Sequence, residues 1–378
     1  MTTLGTFKST RNLEYEVLQV LRSGRLTYGP VSASYEKEFA SIHDCKDGIV
    51  SNSGTSALQV AIQAMAELYH WDAGSEIIVP STTFVATVNA VIHCGFMPVL
   101  VDVDPDYYCI DPALIDDAIT PRTCAIIPVH AFGHPADMKA ICSIARQYNL
   151  KVIEDSCECM YVNTDDRTVG SWGDAASFST YAAHIISTGV GGMTTVREDE
   201  ELAKIIRSLV NHGIDTKELP TGERVDASWI QRQFNFTRIG HSFRITEIEA
   251  AMGLLALQNL HINIDARQSN AAKLTDELCD IERIQLPAIR PQSDHSWMVY
   301  PIVALDENKH GIMAHLRGVG IECRDLLPLT TQPCYSFKPE DFPVSDKLNK
   351  NGFYIGCHQD FTQDDISKIS EAMHEYFK

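Results

Sequence analysis

The chain has 378 residues, of which 44% are hydrophobic and 21% are charged, and its formal net charge is −19. This length exceeds what one hydrophobic core usually supports, so two domains are expected. The strongly negative charge argues against a nucleic-acid or anionic-membrane surface as a partner, while leaving room for a local basic pocket that binds phosphates.

The first residues lack the basic and apolar regions of a secretory signal, and no apolar run approaches the roughly 18 residues that span a bilayer. The 11 cysteines are odd in number and scattered, which is typical of a reducing compartment. We therefore predict a cytoplasmic protein. The close pair Cys157 and Cys159 lacks the second pair or nearby histidine of a metal motif, so neither a metal site nor an iron–sulfur cluster is predicted.

Apolar runs alternate with helical patterns from about residue 45 to residue 200, which predicts a mostly parallel α/β sheet flanked by helices. The runs are continuously hydrophobic, as expected for strands buried on both faces. Strands are predicted over residues 48–51, 76–80, 97–102, 124–130, 151–155, 175–178 and 193–196. Helices are predicted over residues 56–69, 87–93, 138–148 and 199–212.

The second half of the chain predicts a smaller α/β domain. Residues 215–240 show no clean periodicity and predict an excursion, whereas apolar residues from Thr246 recur at the spacing of one long amphipathic helix. We expect a large domain of residues 1–255 and a small C-terminal domain of residues 256–378. Within the small domain, a strand is predicted over 296–303 and helices over 310–318 and 363–376.

Three positions have the residue types of a cofactor site, and each has an ordinary alternative. Gly54 turns the chain from a strand into a helix, whose N-terminal N–H groups favour a phosphate, although plain helix capping is commoner there. Asp155 follows a buried-type strand, where a carboxylate could pair with a pyridine nitrogen or simply cap a helix. Phe84 could stack on a ring or pack in the core.

The order of the motifs along the chain resembles the DegT/DnrJ/EryC1/StrS family of nucleotide-sugar aminotransferases, and the resemblance covers nearly the whole chain. It implies the type I fold of transferases dependent on pyridoxal phosphate, and a homodimer whose two active sites are shared between subunits. The motifs that carry it lie at residues 26–30, 53–55, 83–87, 129–133, 154–155, 179, 191–192, 211–213, 240–251 and 327–333.

The resemblance also implies roles for individual residues. It implies phosphate contacts from Gly54, Thr55 and Ser179, ring stacking by Phe84 and a pyridine contact by Asp155. Glu158 stands at a further cofactor position, where family aminotransferases usually carry glutamine or histidine. Ser242 stands where many members place an asparagine that reaches the phosphate of the partner subunit's cofactor. Candidates for the sugar or diphosphate site are Tyr28, His130, Arg244 and His358, each of which is also plausible as a structural polar residue.

His184 differs from the residue that the resemblance leads us to expect at its position, and this difference decides the predicted chemistry. It lies seven residues before Gly191, the spacing from the family's cofactor-anchoring lysine to its Gly-Gly pair, and no lysine occurs between Lys151 and Lys204. Imidazole cannot anchor the cofactor covalently, but its ordinary pKa near ~6.5 suits proton transfer at cytoplasmic pH. A structural or solvent-facing histidine is the alternative.

The family branch with this replacement is that of the sugar 3-dehydratases, and the cluster-free members similar to GDP-4-keto-6-deoxymannose 3-dehydratase are the better match. The resemblance implies non-covalent pyridoxal or pyridoxamine phosphate, a nucleotide-diphosphate sugar as the substrate and an amino donor such as glutamate. Two alternatives stay open at this point. One is an aminotransferase with His184 as its proton shuttle, and the other is a non-catalytic sugar-binding homologue.

Overall fold

The computed structural model describes residues 2–5, 7–215, 235–306 and 308–378. The strands of the first part of the chain are β1 (Asp47–Ser51), β2 (Glu76–Pro80), β3 (Met97–Val101), β4 (Thr123–Ile126), β5 (Lys151–Asp155), β6 (Asn163–Thr164), β7 (Arg167–Thr168), β8 (Ala175–Ser179) and β9 (Gly192–Val196). Seven of them form one sheet in the order β1-β9-β8-β5-β4-β2-β3, and β6 and β7 form a separate hairpin.

The large sheet is mostly parallel, because only the β1–β9 and β8–β9 pairs are antiparallel. Strands β2, β8 and β9 are buried at every position, which explains their continuous rather than alternating apolar character. The helices around this sheet are α1 (Arg11–Ser23), α2 (Pro30–Ile42), α3 (Gly54–Leu68), α4 (Val85–His93), α5 (Ile115–Ala118), α6 (Met138–Gln147) and α7 (Glu200–Val210). The predicted α/β class with flanking helices is confirmed.

A second, four-stranded antiparallel sheet forms in the C-terminal part, in the strand order β10-β11-β13-β12. Its elements, and the two helices that lead into it, are α8 (Glu247–Gln258), α9 (Leu260–Leu278), β10 (Ile284–Gln285), β11 (Tyr300–Ala304), α10 (Lys309–Gly318), β12 (Cys323–Asp325), α11 (Pro343–Asn351), β13 (Gly352–Ile355) and α12 (Gln363–Phe377). This sheet and its helices enclose a hydrophobic core of their own.

Three sequence-based boundaries are wrong for local reasons. The long helix predicted from Thr246 is interrupted at Asn259, which caps α8 with φ −107° and ψ 5°. The strand predicted over 296–303 begins only at Tyr300, because Trp297 takes a left-handed φ of 48°. The strand predicted over 124–130 ends at Ile126, two residues before Pro128, which has no N–H to donate to a ladder.

The proposed domain division between residues 255 and 256 falls inside α8, three residues before its last residue, Gln258. The N-terminal segment also approaches the second sheet, where Thr2 forms a parallel bridge with Ile321. Of the predicted excursion over 215–240, residues 216–234 lie outside the described residues. Every helix in the described part of the chain is too short or too polar to cross a membrane.

The topology brings four strand ends to one edge of the large sheet. Because β1, β2, β5 and β8 all run in the same direction, the segments that follow them meet at the carboxyl edge, where open α/β sheets bind ligands. The segment after β1 enters α3 at Gly54, and the segment after β2 leads to Phe84. The other two segments begin directly after Asp155 and Ser179, the last residues of β5 and β8.

The Asp102 carboxylate joins this sheet to the C-terminal domain. It lies directly after β3 and accepts the Ser81 hydroxyl and the backbone N–H of Val103 at 3.0 Å each. It also accepts the backbone N–H groups of Val344 and Ser345 at 2.8 and 3.0 Å, in the first turn of α11. One buried side chain thus caps a helix of the second domain and holds the segment after β2.

We expect Asp102→Ala to lower the free energy of unfolding by about 2–4 kcal/mol, because several buried donors would lose a charged acceptor. Urea unfolding followed by circular dichroism measures this loss. Asp106→Ala, which removes an exposed carboxylate from the same connection, serves as the control and is expected to change stability by less than about 0.5 kcal/mol. Equal losses in the two variants would contradict a structural role for the Asp102 junction.

Candidate active site

The N-terminus of α3 forms one wall of the site. Ser53 caps the helix by accepting the backbone N–H of Ser56 at 3.1 Å, and Thr55 is half-buried in the first turn. A Cβ atom at Gly54 would lie 2.6 Å from the Cys157 Sγ and 2.8 Å from the Ser179 Cβ. Only glycine therefore lets the helix start come this close to the end of β8, and the paired segments form a cradle of backbone N–H groups and a hydroxyl.

Asp155 lies at the end of β5 and is only 5% exposed. Its Oδ2 accepts the Thr87 hydroxyl at 2.8 Å, and its Oδ1 accepts the backbone N–H of Cys157 at 3.2 Å. Both carboxylate oxygens are therefore held by neutral donors. Each oxygen retains acceptor capacity for a further partner, such as a protonated ring nitrogen.

Phe84 is 59% exposed, although it is a large aromatic residue. It occupies the N-cap position of α4, and its carbonyl accepts the backbone N–H of Thr87 at 3.2 Å. A rigid turn thus presents an open aromatic face in the segment that follows β2, which is the arrangement that stacking on a planar ring requires.

His184 is half-buried in the loop between β8 and β9, and its Nδ1 lies 2.6 Å from the Cys157 carbonyl oxygen. A carbonyl only accepts hydrogen bonds, so Nδ1 carries the proton and Nε2 carries the free lone pair of the neutral ring. Burial lowers the pKa of His184 below 6.5, although the Cys157 carbonyl and the charge of Asp155 act in the opposite direction. The ring is therefore a neutral base at pH 7, with its accepting nitrogen fixed.

The main chain at Cys157 connects these two side chains, since its N–H binds Asp155 and its carbonyl binds His184. Residue-type reasoning had no signal for this connection, because both of these hydrogen bonds are made by main-chain atoms, while the Cys157 thiol adds a side-chain contact to Asp155. Thr87 was also missed as a partner of Asp155. Its position at the end of the 83–87 motif was the available signal, but the contact depends on how α4 packs against β5.

Glu158 lies near Asp155 and is half-buried. Its Oε2 accepts the backbone N–H of Phe132 at 2.7 Å. The pKa of this carboxyl is raised to about 7, chiefly by burial, with the Phe132 N–H lowering it and the nearby charge of Asp155 raising it. The side chain therefore carries a proton in a large fraction of molecules at neutral pH and can act as a hydrogen-bond donor.

Ser242 and Arg244 are exposed, and they lie beside the start of α3 because the Phe243 carbonyl accepts the Asn52 N–H at 2.6 Å. The Arg244 Nη2 lies 3.0 Å from the Ser242 Oγ and 3.0 Å from the His212 Nε2. These contacts place basic and hydroxyl groups next to the helix N-terminus. His212, which lies in one of the family motifs, was not among the predicted site residues.

The structure gives the other three predicted substrate residues partners within the protein. His130 is completely buried, donates from Nε2 to Glu154 at 3.0 Å and accepts the Ala136 N–H at Nδ1, so no ring nitrogen is left for a substrate. This geometry argues for a structural role and against the predicted one. The Tyr28 hydroxyl donates to the Glu36 carboxylate at 2.7 Å.

His358 is also buried, and burial lowers its pKa to about 4. Its Nδ1 accepts the Asp360 N–H at 3.3 Å, and its Nε2 lies 3.4 Å from the Thr3 hydroxyl. The ring is therefore neutral at pH 7 and is held between the N-terminal segment and the C-terminal domain. These contacts do not bring it into the group formed by Gly54, Asp155 and His184.

The residues present fit pyridoxal phosphate. The fit rests on the glycine-dependent cradle at the start of α3, the fixed Asp155 carboxylate and the exposed Phe84 ring. The residue that faces this group from the β8–β9 loop is a neutral imidazole. Among the described residues, no cluster of three or more histidine, cysteine or acidic side chains has the arrangement of a metal site.

Comparison with known proteins agrees with this geometry. Residues 8–374 match the profile of the DegT/DnrJ/EryC1/StrS aminotransferase family. The chain is 32% identical to the spore coat polysaccharide biosynthesis protein SpsC of Bacillus subtilis, covering 96% of this chain and 94% of SpsC. It is 33% identical to the GDP-perosamine synthase of Caulobacter vibrioides, covering 91% of this chain and 90% of that protein.

The fold is also similar to that of solved structures. The GDP-4-keto-6-deoxy-D-mannose-3-dehydratase of E. coli, solved with bound hydrated PLP, superposes with a TM-score of 0.90 at 25% identity. The superposition covers 98% of this chain and 99% of the dehydratase chain. The relatives thus include a protein named as a GDP-perosamine synthase and a protein named as a 3-dehydratase.

We expect Glu158→Gln to stabilise the protein above neutral pH. Between pH 4.5 and about 7 the folded chain holds the Glu158 proton that the unfolded chain has lost, so the contribution of this residue to stability falls as the pH rises. Glutamine has no such proton to lose. The difference in free energy of unfolding between variant and wild type should therefore grow from near zero at pH 5 to roughly 1–3 kcal/mol at pH 8.

Urea unfolding of both proteins across this pH range measures the difference. Glu371→Gln, at an exposed position of α12, provides the matched control and should show no such growth. A Glu158→Gln difference that is constant with pH would contradict the raised pKa.

Proposed function

Because the chain belongs to the DegT/DnrJ/EryC1/StrS aminotransferase family, we propose that it is a nucleotide-sugar 3-dehydratase that uses pyridoxal and pyridoxamine phosphate without a covalent anchor. The observation that carries this proposal is the fixed tautomer of His184, whose Nδ1 donates to the Cys157 carbonyl. The substrate class is a nucleotide-linked 4-keto-6-deoxyhexose. The reaction would serve the synthesis of deoxysugars for an O-antigen or a related glycan, in a homodimer with shared sites.

Each residue of the candidate site has a role in this proposal. Gly54, Thr55 and Ser179 bind the cofactor phosphate, and Ser242 is the corresponding contact to the phosphate of the partner subunit's cofactor. Phe84 stacks on the ring and Asp155 holds the proton on the pyridine nitrogen. Glu158 donates a hydrogen bond at the ring edge, and Arg244 lies where a diphosphate would be held beside the start of α3.

When bound, pyridoxamine phosphate supplies an amino group that condenses with the C4 ketone of the sugar and a ring that accepts electrons. His184 would take a proton from the C4′ carbon of the bound cofactor through Nε2 and pass it to the C3 hydroxyl of the sugar, which would leave as water. Its neutral state at pH 7 makes it ready for this step. The released product would hydrolyse to a 3-deoxy ketone and ammonia, and an amino donor such as glutamate would be needed to return the amino group to the cofactor.

A second candidate is an aminotransferase in which His184 moves the same proton but the nitrogen stays on the sugar. The similarity to the GDP-perosamine synthase of Caulobacter vibrioides favours this reading. The identity of residue 184 favours dehydration, because a lysine at this position anchors the cofactor in the family's aminotransferases, whereas a histidine leaves it free to exchange.

We expect borohydride reduction of the protein loaded with pyridoxal phosphate to leave the chain unmodified, because no lysine lies in the β8–β9 loop that carries His184. Intact-protein mass spectrometry after denaturation measures the modification. His184→Lys is the matched control, and it should retain the reduced cofactor on the chain. Stoichiometric retention by the wild-type protein would contradict non-covalent binding.

We expect His184→Asn to bind pyridoxal phosphate with near-wild-type affinity but to lose about 10²–10⁴-fold in turnover, since asparagine cannot take up the proton. Incubation with a panel of 4-keto nucleotide sugars, pyridoxal phosphate and glutamate, followed by mass spectrometry, measures the products. His70→Asn is the control, because His70 is exposed and its φ of 54° is one that asparagine tolerates.

Products of the wild-type enzyme also separate the two candidates. A 3-deoxy sugar together with free ammonia supports dehydration, whereas an amino sugar supports transamination and overturns the primary proposal. Unchanged turnover in His184→Asn would remove this residue from the proton transfer in either reaction.

A further inference from the structure

Three buried side chains form a hydrogen-bonded row that ends at Asp155. The Thr83 and Thr87 hydroxyl oxygens lie 2.8 Å apart, and the Thr87 oxygen lies 2.8 Å from the Asp155 Oδ2. Each of the three residues is at most 5% exposed. The Thr87 hydroxyl donates its one proton to Asp155, so the Thr87 oxygen in turn accepts the proton of Thr83.

Thr87 also makes a backbone hydrogen bond within the turn that carries Phe84. Thr87 lies in the first turn of α4, and its backbone N–H is donated to the Phe84 carbonyl at 3.2 Å. Its side chain and its main chain therefore act on different neighbours. Through them, the position of the Asp155 carboxylate is linked to the position of the Phe84 ring.

We propose that Thr87 is a positioning residue for the cofactor, which fixes the orientation of the Asp155 carboxylate and couples it to the turn that carries Phe84. This inference rests on the proposed function, because it assumes that Asp155 and Phe84 hold a pyridine ring. The Cys157 N–H binds the opposite oxygen at the longer distance of 3.2 Å, and the Cys157 thiol is a weaker donor to the same carboxylate. Without the threonine hydroxyl, the carboxylate loses its shortest hydrogen bond and can rotate.

The effect of this rotation differs from that of a purely structural hydrogen bond. A carboxylate in the wrong orientation holds the protonated ring nitrogen less well, so both the affinity for the cofactor and the electronic state of its ring change. A threonine that only stabilised the fold would lower the stability of the protein and leave the properties of the bound cofactor unchanged.

The test compares the wild-type protein with Thr87→Val, Thr87→Ser and Thr83→Val. Valine keeps the shape of threonine without its hydroxyl, serine keeps the hydroxyl, and Thr83→Val removes only the first donor of the row. Thr194→Val is the matched control, because the Thr194 hydroxyl is equally buried and donates to the Ala57 carbonyl at 3.1 Å, away from Asp155. Circular dichroism establishes that each variant is folded.

The measurements are the Kd for pyridoxal phosphate and the absorption maximum of the bound cofactor at one pH. We expect Thr87→Val to raise the Kd roughly 10- to 100-fold and to move the maximum toward that of free pyridoxal phosphate, as the loss of a hydrogen bond to a charged group implies. Thr83→Val should raise the Kd only a few-fold. Thr87→Ser and Thr194→Val should behave as the wild type does.

The possible failures are distinguishable. If the wild-type protein binds no pyridoxal phosphate, the proposed function is overturned and the inference falls with it. If the wild-type protein binds the cofactor and Thr87→Val has the same Kd and absorption maximum, only the inference is overturned. If Thr87→Val does not fold, Thr83→Val decides: a Kd equal to that of Thr194→Val would overturn the positioning role.

Discussion

The arrangement of the site depends on the main chain of a single residue, Cys157. Its N–H is donated to the Asp155 carboxylate, and its carbonyl accepts the ring N–H of His184. Peptide groups neither titrate nor change rotamer, so they hold a carboxylate and a base in a constant relation throughout the pH range in which the base works. The side chain of Cys157 fills the space beside Gly54, which keeps the N-terminus of α3 against the same segment.

The electrostatics of the site are local and differ from those of the whole chain. The protein carries a net charge of −19, yet Arg244 lies beside the N-terminus of α3, where the helix dipole adds to its attraction for phosphates. Burial disfavours the charged form of both His184 and Glu158, and it therefore shifts the pKa values of these two side chains in opposite directions. It lowers the pKa of His184 and raises that of Glu158, so that a neutral base and a protonated carboxyl are present together near Asp155.

The C-terminal domain holds a segment of the candidate site in place, but the residues proposed to hold the cofactor ring lie in the large domain. The Asp102 carboxylate caps α11 and binds Ser81, and the Ser345 hydroxyl lies 2.5 Å from the Ser81 oxygen and 2.7 Å from the Thr82 oxygen. The segment between β2 and Phe84 is therefore held from the side of the C-terminal domain. The hydrogen-bonded row from Thr83 to Asp155 continues these buried polar contacts into the large domain.

Much of the fold followed from the sequence, because continuous apolar runs and helical periodicity are local consequences of burial. Gly54, Phe84 and Asp155 could be proposed as cofactor positions because ligands collect at strand ends, and His184 could be proposed as a site residue because its distance from Gly191 is a property of the chain alone. Only the tertiary structure decided which ring nitrogen of His184 is free, that Thr87 binds Asp155, and that both nitrogens of His130 are engaged. Hydrogen-bond partners and pKa shifts depend on groups distant in sequence that packing brings together, and on the burial that this packing creates.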